Sequence, residues 1–90
     1  MKKYLIIYNS KQYQLFVNRI KRFKDYTRIK HRVWCVLTDI EKTTEVRDLF
    51  DDIITDNDVL MVIDITKSPW AAVNIPAETV YWLKEKTHTL

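Results

Sequence analysis

Ninety residues pass without a single glycine, and that absence restricts the fold more than any motif in the chain. A left-handed backbone angle is nearly free for glycine and tolerable next for Asn and Asp. Any such turn here must therefore use an Asn or Asp, such as Asn9, Asp56-Asn57 or Asn74. Phosphate-cradling loops of the Walker or dinucleotide type are excluded, because they need glycine for close backbone approach.

Hydropathy marks out the elements between those turns. Tyr4-Leu5-Ile6-Ile7-Tyr8 is a continuous apolar run, predicting a strand buried on both faces. Asn9-Ser10 supplies a turn and a helix N-cap. Residues 11–24 follow helical spacing, with Tyr13, Phe16, Val17, Ile20 and Phe23 on one face and Lys11, Arg19 and Arg22 on the outer side. Residues 26–32 alternate polar and apolar, and residues 33–38 form a strand centred on Trp34-Cys35-Val36-Leu37. The two runs make either a short hairpin or one bent strand.

A second helix starts at Thr43-Thr44-Glu45, with Thr as the cap and Glu45 favouring the positive helix end. Val46, Leu49, Phe50, Ile53 and Ile54 fill its apolar side, and Asp56-Asn57-Asp58 breaks it. Residues 59–65 are the strongest strand, interrupted only by Asp64, and residues 70–74 suggest a short edge strand. Pro76 then opens a C-terminal helix with Val80, Tyr81 and Leu83 on its apolar side. Strands alternating with helices predict a single α/β domain over residues 1–90, an α+β sandwich with helices packed on a sheet. With the second strand split, this is the ferredoxin-like βαββαβ plan with an additional C-terminal helix.

Charge divides the chain. Residues 1–32 hold ten Lys or Arg against the single acid Asp25, and residues 33–90 hold five against eleven. A net charge of +3 therefore conceals +9 in the first third and −6 in the rest. Such asymmetry suggests either a surface that faces a polyanion or head-to-tail pairing between molecules. The bland alternative is that these residues scatter over a solvated surface once folded.

With 47% hydrophobic residues the sequence is globular, but a chain this short builds only a small core. Apolar surface left over is expected to be covered by a second copy, giving a homodimer. Cys35 is the one cysteine, so neither an internal disulfide nor a thiolate metal cluster forms. It reads as packing. No run reaches membrane-span length or resembles a signal peptide, so a cytoplasmic location and no membrane partner are expected.

Several segments carry a family resemblance through their order and spacing. They are Tyr4-Leu5-Ile6-Ile7-Tyr8-Asn9, Val33-Trp34-Cys35-Val36-Leu37-Thr38, Thr44-Glu45-Val46-Arg47-Asp48-Leu49 and Asp56-Asn57-Asp58-Val59-Leu60. Met61-Val62-Ile63-Asp64-Ile65-Thr66 continues the last, and Trp70, Asn74-Ile75 and Trp82-Leu83-Lys84 follow. The pattern resembles the SinR-family small bacterial proteins, themselves similar to CRISPR-associated protein two, and it covers nearly the whole chain. The resemblance implies a ferredoxin-like fold, a symmetric homodimer and association with RNA or DNA. Some members of the larger family are metal-dependent nucleases. There the first strand ends in Tyr-Asp, and that Asp from each subunit holds the divalent metal. Here the position is Asn9, a degenerate metal-site position. A neutral amide ligates a hard cation less well than a carboxylate and cannot act as a general base.

Three readings of function follow. The first is a non-catalytic, homodimeric nucleic-acid-binding protein that contacts phosphates through Lys11, Arg19, Arg22, Arg28, Lys30, His31 and Arg32, with no cofactor or bound metal. The second is a metal-dependent ribonuclease or deoxyribonuclease using magnesium or manganese. The third is a protein-interaction module without nucleic acid. Asn9 otherwise reads as a turn residue, Asp39 and Glu41 as solvated acids that join Asp64 at a metal only in the second reading, and Arg47 as a counter-ion for Asp64. No Ser/His/Asp or Cys/His arrangement is suggested. Trp70 and Trp82 belong to the core or to a dimer interface, and His88 to a frayed end.

Overall fold

The computed structural model describes residues 1–88, the last three by their backbone alone; the side chain of His88 lies outside the described residues. The elements run β1 (Lys2–Asn9), α1 (Tyr13–Ile20), β2 (Asp25–Lys30), β3 (Val33–Thr38), α2 (Thr43–Asp48), β4 (Val59–Asp64) and α3 (Ala77–His88). The result is an α+β fold around one four-stranded antiparallel sheet in the order β2-β3-β1-β4. The apolar run of β1 lies in the interior of the sheet, between β3 and β4. Residues 25–38 form a hairpin rather than one bent strand, with a bulge between Arg28 and Lys30.

Strand alternation sorts the side chains onto two faces. On the first face the register lines up Arg28, Trp34, Ile6 and Val62, with Tyr4 and Val36 in the next row. Phe16 and Ile20 of α1, Val46 of α2 and Phe50 just beyond it close over this face and complete the core. Phe16 stacks on Tyr8 at 5.1 Å between ring centroids and on Phe50 at 5.7 Å, so one ring ties both helical segments to the sheet. The Tyr4 hydroxyl donates to the Ile40 carbonyl at 2.7 Å and anchors the chain entering α2.

On the second face the register lines up Thr27, Cys35, Leu5 and Ile63. Here α3 covers only the β2 side. Thr79, 1% exposed, donates to the Arg28 carbonyl at 2.9 Å and lies 3.2 Å from the Thr27 hydroxyl. Leu83, Trp70, Ile75 and Cys35 border a cavity of about 230 Å³ between that helix, the segment after β4 and the sheet. The β4 side of the face is open, and Val59, Met61 and Ile63 are 55%, 55% and 39% exposed.

Several local expectations are corrected. The first helix is shorter than residues 11–24: Arg22 and Phe23 bond back three residues instead of four, tightening and ending the last turn. Lys11 precedes it, and Tyr13 is 49% exposed rather than part of its apolar face. Ser10 accepts the Gln12 N–H at 3.0 Å, but Gln12 itself occupies the N-cap. In α2 the extended Lys42 takes the N-cap, and no Thr side chain caps it. That helix stops at Asp48 and reaches Ile53 and Ile54 through successive tight turns. Residues 70–74 form no strand. Among the described residues Asn74 alone has a positive φ, 59°. No helix of the described residues is long and apolar enough to cross a membrane.

Candidate nucleic-acid interface

The candidate phosphate contacts do not form one stripe along α1: they collect at the β2–β3 hairpin and at the far end of α1, with Lys11 before the helix. The hairpin is the richer group. Arg28, Lys30, His31 and Arg32 are all exposed there, within five consecutive positions. The turn is held to the sheet by the Tyr8 N–H, which donates to the Arg32 carbonyl at 3.1 Å. Arg28 lies over the Trp34 ring at 5.9 Å from its centroid and donates from its guanidinium to His31 Nδ1 at 3.1 Å. Arg28 is thereby held in place with its charge on the surface.

The second group lies at the far end of α1. Arg22 and Lys24 are exposed and border a shallow cavity of about 330 Å³ with Arg19, Thr38 and Leu49. Arg19 does not point outward as its helical position suggested. Its Nη1 and Nη2 donate to Asp52 Oδ1 at 2.6 Å and Oδ2 at 2.9 Å, and Nη1 also donates to the Leu49 carbonyl. The Arg19 side chain is only 15% exposed. The same bond pushes the Asp52 carboxyl down to about 2. A charge neutralised in this way is a poor phosphate contact.

Lys11 borders a polar pocket with Asn9, Asn57 and Asp58 where β1 meets the loop before β4. Asn9 is exposed at the end of β1 and pairs with Val59. Its backbone is that of a strand, so the turn-residue reading of Asn9 is set aside. Asp58 accepts the Thr55 N–H at 2.9 Å, and that bond, with a smaller one from Ser10, lowers its pKa.

The remaining acids do not converge. Among the described residues no group of three or more His, Cys, Asp or Glu side chains is placed to hold a metal ion. Asp64 accepts the Thr66 hydroxyl at 2.6 Å and the Lys2 ammonium at 3.2 Å, and the Thr66 bond leads in lowering its pKa. Its counter-ion is therefore Lys2 rather than Arg47, which pairs with Asp48 at 2.9 Å. Cys35 is fully buried, and burial pushes its thiol up to about 12, far from a reactive thiolate.

Two aromatic neighbours of the hairpin escaped the sequence reading. Tyr13 lies 6.1 Å from His31 and Tyr26 lies 6.0 Å from Trp34, ring centroid to centroid, and both tyrosines are exposed. The alternation of Tyr26 with Arg28 and Lys30 along one strand was the available signal for the second. No protein-family model, curated protein or solved structure matches the chain.

Proposed function

We propose that the chain is a homodimeric, non-catalytic nucleic-acid-binding protein with a ferredoxin-like fold, as the likeness to SinR-family proteins implied. The observation that carries the reading is the β2–β3 hairpin, where three exposed basic side chains and His31 lie within five consecutive positions. Such a group neutralises phosphates without reading bases. The ferredoxin-like reading is supported by the strand order β2-β3-β1-β4, the split second strand, and two helices packed on one face. The position of α3 on the opposite face supports the additional C-terminal helix of that plan.

Support for the second copy comes from the open part of the second face. Val59, Met61 and Ile63 put three exposed apolar side chains on an edge strand, a hazard that soluble proteins normally cover. A two-fold contact between such faces buries both sets at once. The non-catalytic reading rests on Asn9, a neutral and exposed side chain at the position where the similar nucleases place a metal-binding carboxylate.

The direct test is a mobility shift with random-sequence RNA and DNA at low ionic strength. Retarded species with both, reversed by added salt, are the expected result. Absence of any shift overturns the proposal and leaves the protein-interaction module as the better reading.

A further inference from the structure

The hairpin carries more than charge. Tyr26, Trp34, Arg28, His31 and Tyr13 form one continuous strip, each touching the next: Tyr26 to Trp34 at 6.0 Å, Arg28 over Trp34 at 5.9 Å, Arg28 to His31 at 3.1 Å, and His31 to Tyr13 at 6.1 Å. The strip crosses from the edge strand β2 to the start of α1. At its two ends the tyrosines are 37% and 49% exposed, while Trp34 beneath is 5% exposed. Asp25 is the one acid of this part of the sequence, and its carboxylate accepts the Tyr26 N–H at 2.8 Å.

A surface evolved only to hold a duplex backbone needs cations and hydrogen-bond donors, not exposed rings. The faces of duplex bases are already stacked on one another and present nothing to an aromatic side chain. Single strands expose those faces, and proteins that hold them without sequence preference combine a basic track with aromatic platforms. From this interleaving we infer that the strip takes single-stranded nucleic acid, with bases stacking on Tyr13 and Tyr26 and the backbone paired by Arg28, Lys30 and Arg32. The inference rests on the nucleic-acid reading above and names its substrate class. Arg28 is pre-set by Trp34 and His31, so little side-chain freedom is lost when a phosphate arrives.

The experiment compares a fluorescein-labelled oligothymidylate with a mixed-sequence duplex of equal length by fluorescence anisotropy, using the full chain at low ionic strength. Wild type should bind the single strand more tightly. Tyr13→Ala and Tyr26→Ala should each weaken single-strand binding about 5-fold or more and leave duplex binding unchanged. Both side chains are exposed, and an unchanged thermal midpoint of each variant confirms that the fold is kept. Equal affinity for the two probes, or tyrosine variants that bind the single strand like wild type, overturns the inference while leaving the nucleic-acid reading in place. Failure of wild type to bind either probe overturns both.

Discussion

Arg19 and Asp52, 33 positions apart in sequence, face each other with both guanidinium Nη atoms on both carboxylate oxygens, at 2.6 and 2.9 Å. The pair joins the last turn of α1 to the turns that follow α2, and the same guanidinium also donates to the Leu49 carbonyl. Arg19→Glu should therefore lower the thermal midpoint, whereas Arg22→Glu, at an exposed position, should leave it nearly unchanged. Thermal unfolding followed by circular dichroism separates the two. Equal midpoints for both variants would show the pair to be energetically idle.

The same pair predicts an acid dependence. The Arg19 bond holds the folded-state pKa of Asp52 at about 2, below its ordinary value of 3.8. The contribution is fully present above the unfolded value and is lost as pH falls through the folded one. The midpoint difference between wild type and Asp52→Asn should thus be constant from neutral pH to about 5 and shrink between about 4 and 2. A difference that grows on acidification contradicts the assignment.

Phe16 stacks on Tyr8 and on Phe50 and is fully buried, so its removal leaves a cavity where both helical segments meet the sheet. Phe16→Ala should cost about 3–5 kcal/mol, measured by urea unfolding. A loss under about 1 kcal/mol would mean that the site collapses freely or that the core is placed elsewhere.

Met61 and Ile63 test the second copy. Wild type should have a dimeric mass by light scattering at micromolar concentration, and Met61→Lys with Ile63→Lys should be a folded monomer. Both side chains are exposed within one chain, so the substitution removes no core packing. A monomeric wild type excludes the dimer.

Much of the architecture is legible in the sequence because it depends on local periodicity. The run through Tyr4 and Tyr8 reads as an interior strand because both of its faces are apolar, and β1 does lie between two partners. Val46 and Phe50 read as the buried side of a helix and are buried. What periodicity misses is set by partners distant in sequence. Helical spacing turns Arg19 outward, but Asp52 draws it back. Spacing places Tyr13 inward, but α1 begins there, and the ring lies against His31 on a hairpin 18 positions away. Leu49 fits the apolar template yet is 42% exposed, because the helix has ended and the chain turns more tightly. The candidate site was legible as a count of charges. Its division into separate groups was not, since strand register and the hairpin decide which of them meet.

The catalytic question has a clean experiment. On the proposed reading, purified protein should leave RNA and DNA intact in magnesium or manganese, since Asn9 offers no carboxylate. Asn9→Asp should change this only if the rest of a two-subunit site survives. Metal-dependent cleavage by wild type, abolished by replacing Asp39, Glu41 and Asp64, would contradict the non-catalytic reading.

The central claim is that the β2–β3 hairpin neutralises phosphates, and the salt dependence of binding measures this most directly. Lys30→Ala with Arg32→Ala removes two exposed cations and leaves the Arg28–Trp34 contact untouched. The slope of log affinity against log salt should fall by about two units relative to wild type, equally for every sequence tried. A slope identical to that of wild type would contradict the account, because the phosphates would then be held somewhere other than the hairpin.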